Sequence, residues 1–132
     1  MSIEARLRSD TAPVPSGRRR DAVLAALEIF RALDVGITTN NIVTFLYLCE
    51  NEGISVTELA ALAGLNPATA SRSIRSLAAP GARWSLPPHL GLIEVLGYGA
   101  GRNSKTLRLT PLGVEVRDRV NALIEQGVRI ES

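Results

Sequence analysis

Two helix-start signals follow one another so closely in the middle of this chain that only one local geometry accommodates both. Ser55-Val56-Thr57-Glu58 reads as a capping box: the Ser55 hydroxyl accepts from the backbone N–H of Glu58 while the Glu58 carboxylate reaches back to the N–H of Ser55. Gly64 then supplies a residue that tolerates positive φ, the usual helix stop. Asn66-Pro67 opens a new helix at once, with Asn66 as N-cap and Pro67 at the first helical position, where its missing N–H costs nothing. The pattern predicts two short helices around one tight turn, a helix-turn-helix over residues 55–79.

The second of these helices has two unlike faces. Ala70, Ile74 and Leu77 form an inward stripe at i, i+4, i+7, and at 100° per residue the opposite face holds Ala68, Arg72, Arg75 and Ala79. Thr69, Ser71 and Ser76 flank that outer face, and no carboxylate lies on the helix. A helix that merely meets water usually mixes charges for i,i+4 pairing, so small hydroxyl residues and arginines without acids fit a DNA groove better than bulk solvent. The bias extends beyond the helix. Between Glu58 and Glu115 a single acid, Glu94, stands against six bases, Arg72, Arg75, Arg83, Arg102, Lys105 and Arg108, a segment of net charge +5 inside a chain of net charge +2. Charge is sorted along this chain, as expected of a surface that meets phosphate.

The remaining segments organise around that centre. Residues 1–17, interrupted by Pro13, Pro15 and Gly17, are expected to form a flexible N-terminal arm ahead of a single domain spanning 18–132. Val23, Leu27 and Phe30, with Leu24 and Leu33 beside them, recur at helical spacing from Arg20 to Asp34, and Gly36 ends that helix. A second helix follows Thr38-Thr39-Asn40 and carries Ile42, Val43, Phe45, Leu46, Leu48 and Cys49. Being apolar around most of its circumference, it is expected to be the buried central helix. Beyond a Pro- and Gly-rich stretch, Leu92-Ile93-Glu94-Val95-Leu96 and Thr106-Leu107-Arg108-Leu109-Thr110 read as strands, with Gly97, Gly99 and Gly101 between them. They predict a hairpin over 92–110 with a basic tip. Pro111 opens a last helix over 111–128, whose apolar positions only partly form one stripe.

Several function classes fall away. One cysteine leaves no intramolecular disulfide and one histidine leaves no metal-ligand cluster, so neither metal nor cofactor is expected. No nucleophile–base pair stands at a recognisable spacing, which argues against an enzyme. No run reaches the roughly 18 apolar residues of a membrane span, and a cytoplasmic setting is expected. Cys49 is read as a small core residue, His89 as a loop residue and Trp84 as an apolar anchor for the 78–90 segment.

Ser55-Val56-Thr57-Glu58-Leu59-Ala60, Leu65-Asn66-Pro67-Ala68-Thr69-Ala70-Ser71-Arg72, Gly91-Leu92-Ile93 and Leu107-Arg108-Leu109-Thr110-Pro111-Leu112-Gly113 together resemble the winged helix-turn-helix of the MarR family of bacterial transcription regulators. The resemblance is strongest over 39–120. It implies a mostly helical fold with a small β-hairpin wing and a homodimer formed by the N- and C-terminal helices. It also implies binding of a pseudopalindromic operator in double-stranded DNA, usually as a repressor; the existence and identity of a small-molecule effector are left open by the sequence. Carried over by position, Ala68, Thr69, Ser71, Arg72, Arg75 and Ser76 fall on the recognition helix, with Arg72 toward a guanine edge and Arg75 toward phosphate. Arg102, Asn103 and Lys105 fall on the wing at the minor groove. The chain departs from the family in inserting extra residues over 78–90, in lacking the aspartates that commonly brace the wing arginine, and in having one C-terminal helix where two are common. Two other readings stand beside this one: a winged helix used as a protein-interaction module, and a nonspecific DNA-packaging protein.

Overall fold

Side-chain caps set where the helices of this protein begin. The computed structural model describes residues 19–98 and 105–131, with backbone alone at 19–20, 97–98, 105 and 126–131. In chain order the elements are α1 (Arg19–Leu33), α2 (Thr39–Glu50), α3 (Val56–Ala63), α4 (Pro67–Leu77), β1 (Ile93–Tyr98), β2 (Lys105–Leu109) and α5 (Pro111–Glu131). At α2 the Thr38 hydroxyl accepts from the Asn41 N–H at 3.0 Å and Asn41 Oδ1 accepts from the Thr38 N–H at 3.0 Å, a capping box at the start marked in the sequence by Thr38-Thr39-Asn40. At α3 the expected box forms between Ser55 and Glu58, at 2.9 and 3.1 Å. Gly64 ends α3 at φ 68°, where a side chain would be strained, and Asn66 Oδ1 caps α4 by accepting from the Thr69 N–H at 2.8 Å. The helix-turn-helix forms as its caps require.

One core joins these elements. Phe30 of α1 meets Phe45 of α2 edge to face, ring centroids 5.8 Å apart, and Leu48, Leu59, Leu77 and Leu107 close around the pair. Such ring pairs add about 0.5–1.5 kcal/mol beyond their buried area. α1 lies along α5, while α2 packs against both helices of the helix-turn-helix.

The two strands pair antiparallel, Ile93 opposite Leu109 through Leu96 opposite Thr106, and then slip so that Tyr98 faces Lys105. Gly97 is the extra residue at that slip, the position where a residue without a side chain is most easily accommodated. The root of the hairpin is fixed on both sides. Leu107 N–H donates to Ile54 O at 3.0 Å and Gly53 N–H to Leu107 O at 2.8 Å, while Leu92 N–H donates to Leu77 O at 2.8 Å.

In α1 the apolar repeat divides: Phe30 and Leu33, with Ala26 and Ile29, meet the core, while Val23, Leu24 and Leu27 are exposed. Helical spacing alone identifies an apolar stripe without saying what covers it. Three expectations need correction. In α2 only the face of Asn41, Thr44, Phe45 and Leu48 is buried, so the helix is not enclosed: Leu46 and Tyr47 are 38% and 40% exposed. The last helix runs three residues past the expected end at 128, and β1 continues two residues past the expected Leu96. Among the described residues no helix is long and apolar enough to cross a membrane.

Among the described glycines Gly113 is the most closely packed, because a Cβ there would collide with the carbonyl oxygen of Leu92 and lie 3.2 Å from Leu109 Cβ. The first turn of α5 therefore sits directly on the base of the hairpin. Gly113→Ala is expected to lower unfolding free energy by about 1–3 kcal/mol, toward the upper end because the obstacle is backbone. Gly81→Ala, where an added Cβ meets nothing within 4 Å, should stay within about 0.5 kcal/mol. Urea denaturation of the two variants makes the comparison.

Candidate nucleic-acid interface

The recognition-helix candidate is held from behind by polar contacts. Ala70, Ser73, Ile74 and Leu77 are buried at i, i+3, i+4, i+7, and Ser76 joins them. The Asn41 amide of α2 donates to Ser76 Oγ at 2.8 Å and to Ser73 Oγ at 3.2 Å, and Ser73 Oγ donates to Thr44 Oγ1 at 3.3 Å. No buried side-chain nitrogen or oxygen among the described residues lacks a partner. Ser76 is thus only 7% exposed and corrects the sequence expectation, which set it beside the DNA-facing residues. Its hydroxyl is drawn inward because a partner waits on α2. Ser73 escaped the sequence reading, although its spacing from Ala70 and Leu77 places it on the inner face.

The outer face keeps the other expected residues. Ala68 and Arg72 are exposed, and Thr69, Ser71 and Arg75 are partly so. Arg75 also holds the loop after α4 to the helix, since its Nε donates to the carbonyl of Trp84 at 2.7 Å. Ser85 Oγ lies within hydrogen-bond distance of Arg75 O, Ala78 O and His89 Nδ1, at 3.3, 3.2 and 2.9 Å, and Leu86 N–H donates to Arg75 O at 3.0 Å. Trp84 is partly buried against the core, as an anchor should be, and His89 is a loop residue with φ 52°. Neither Arg72 nor Arg75 pairs with a carboxylate among the described residues.

At the hairpin, Lys105 begins β2 opposite Tyr98, and its side chain lies outside the described residues, as do Arg102 and Asn103 altogether. The strand bodies are described. Glu94, the one acid of the basic segment, stands directly across from Arg108 on the paired strands, and both are exposed. Opposite charges so placed offset one another.

A groove of about 480 Å³ opens between α2 and α5, lined by Val43, Leu46, Tyr47, Cys49, Arg117 and Val120 among others. Burial pushes the Cys49 thiol up from an ordinary 9.0 to about 12, the nearby Arg117 only partly countering it. At neutral pH it is a thiol and a poor nucleophile.

The arrangement has solved counterparts. The crystal structure of RV1404 from Mycobacterium tuberculosis is 21% identical, with a TM-score of 0.62 over 98% of this chain and 78% of that one. The crystal structure of a transcriptional regulator of the MarR family from Silicibacter pomeroyi is also 21% identical, with a TM-score of 0.54 over 83% of this chain and 66% of that one. The fold is a winged helix-turn-helix. At such identity the likeness extends to the fold alone. No protein-family model matches the sequence, and no curated protein does. Within the winged helix-turn-helix, α3 and α4 form the helical pair and the β1–β2 hairpin is the wing.

Removing the amide behind α4 tests how firmly that helix is held. Asn41→Ala strips a partner from two buried serine hydroxyls and should lower unfolding free energy by about 1–3 kcal/mol. Urea unfolding with an unchanged m value would assign the loss to the folded state.

Proposed function

We propose that this protein is a sequence-specific, DNA-binding transcriptional regulator acting as a homodimeric repressor on a pseudopalindromic operator. The observation that carries the reading is the acid-free outer face of α4, presented by a helix that is capped at its start and hydrogen-bonded from behind. In this reading α4 enters the major groove. Arg72 presents two donors to a guanine edge, Thr69 and Ser71 reach base edges or phosphate, and Ala68 allows close approach. Arg75 meets phosphate from the end of the helix. Arg102, Asn103 and Lys105 belong to a wing that follows the minor groove, where arginine is favoured by negative potential. The segment 18–132 acts as one domain, and the groove between α2 and α5 is the place for any effector. That the Silicibacter pomeroyi protein is a transcriptional regulator agrees with this reading.

The dimer rests on apolar surface that the described residues leave uncovered. Val23, Leu24 and Leu27 on α1 are 58%, 55% and 45% exposed, and Ile124 on α5 is 53% exposed. These two helices pack on one another. A twofold pairing there sets two recognition helices one DNA turn apart, roughly 34–36 Å. Sedimentation at micromolar concentration should show a dimer, and Leu27→Asp, at an exposed position, should shift it toward monomer. A wild-type monomer both with and without DNA would overturn the assembly.

DNA binding divides by residue. Arg72→Ala should cost roughly 1–3 kcal/mol on the preferred operator and flatten discrimination at one position in each half-site. Lys105→Ala should weaken all sequences about equally and reduce the magnitude of the salt slope by roughly one per contact, hence about two for a dimer. Selection from a random DNA pool, followed by titration at several salt concentrations, supplies both measurements. Wild-type affinity in both variants would favour the protein-interaction module instead.

A further inference from the structure

We propose that the loop following α4 is a third DNA-contacting element, in which Arg83 grips a backbone phosphate next to the one met by Arg75. The inference rests on the DNA-binding reading and adds to it a site on the 78–90 insertion. Loops of this kind usually run free over a surface. This one does not. The carbonyl of Trp84 accepts from Arg75 Nε at 2.7 Å, Leu86 N–H donates to Arg75 O, and Ser85 Oγ reaches the carbonyls of both Arg75 and Ala78. Trp84 is also partly buried against the core. Arg83 is therefore carried by a turn fastened to Arg75, the last arginine of α4.

Charge and exposure favour the same occupant. Arg83 is exposed and pairs with no carboxylate among the described residues. No acid occurs in the sequence between Glu58 and Glu94, so Arg72, Arg75 and Arg83 belong to one acid-free stretch, and Glu94 stands across the hairpin from Arg108. An arginine with no carboxylate partner, held beside a phosphate-binding helix end, has the chemistry to take a neighbouring phosphate of the same duplex. Such a contact supplies affinity and register, not sequence choice. The insertion lengthens the footprint past the end of α4.

The test compares wild type, Arg83→Ala, Arg83→Lys and Arg31→Ala on one duplex from about 50 to 200 mM salt. Arg31 is exposed on α1 and already paired with Glu28, so its variant controls for net charge. Each phosphate contact contributes about 0.9 to the slope of log K against log salt. Arg83→Ala should flatten that slope by about 0.9 per protomer, so that its deficit against wild type shrinks about 3.5-fold per contact across this range. Arg83→Lys should keep the wild-type slope, and Arg31→Ala should leave it unchanged. Hydroxyl-radical footprints should lose protection at the outer edge with Arg83→Ala alone. A wild-type slope and footprint in Arg83→Ala, or an equal loss in Arg31→Ala, would overturn the inference while leaving the regulator reading intact. Failure of the unaltered protein to bind any duplex would defeat that reading and this inference with it.

Discussion

The placement of α4 depends on a short polar seam inside an otherwise apolar core. Apolar contacts resist separation but tolerate sliding, since Leu77 or Ile74 would find similar company a fraction of a turn away. Hydrogen bonds do not slide. The Asn41 amide meets Ser73 and Ser76 of α4 and its carbonyl oxygen closes the cap of α2 at Thr38, so one side chain fixes both the start of α2 and the rotation of α4 upon it. A quarter turn of α4 would leave those buried groups unpartnered, at a cost of about 1–3 kcal/mol each. The exposure of Arg72 is thereby determined from the opposite side of the helix.

A second set of bonds fixes the other end of α4 and joins it to the wing. The last carbonyls of a helix have no partner within it. Here those of Arg75, Ser76, Leu77 and Ala78 accept from the N–H groups of Leu86, Leu90, Leu92 and Gly91 in turn. The loop therefore terminates the helix and delivers β1 in one step. From there Thr110 Oγ1 donates to Gly91 O at 2.6 Å and accepts from Gly113 N–H at 3.0 Å, carrying the connection into the first turn of α5. Recognition helix, loop and wing root share one base. Their relative positions are fixed by hydrogen bonds within the chain, as the proposed contact with two grooves of one duplex would require.

Much of this was legible because local chemistry dictates it. Caps at Ser55, Asn66 and Pro67, the stop at Gly64 and the stripe of Ala70, Ile74 and Leu77 depend on neighbours in sequence, and each appears in the structure as read. What escaped depends on partners distant in sequence. Ser76 looks like a surface serine until Asn41, 35 residues earlier, is placed behind it. Likewise, the exposure of Val23 and Leu27 is invisible to periodicity, which reports an apolar face but not its cover. Of the expected contact residues, Arg102 and Asn103 lie outside the described residues, so the base of the wing is in view and its tip is not.

Two acids N-terminal to the basic segment, Glu52 and Glu58, are bonded to the scaffold. Glu58 is turned back on the Ser55 N–H, and that bond and the Ser55 hydroxyl hold its carboxyl below its ordinary value. Glu52 accepts from the Leu109 N–H at 3.0 Å and lies 3.8 Å from Arg117, on the side of the wing root that joins α5. Both negative charges are thus engaged as hydrogen-bond acceptors of the scaffold. A carboxylate used this way stabilises the fold while its field is partly offset by the dipoles it binds. The arginines of α4 pair with no carboxylate among the described residues, although Arg75 donates to the Trp84 carbonyl, so their charge is not offset by a neighbouring acid. Replacing Glu58 by Gln would keep the cap's shape and remove its charge, whereas placing an acid at Ser71 would set a repulsive charge on the outer face of α4. The fold tolerates either change far better than a phosphate-binding surface tolerates the second.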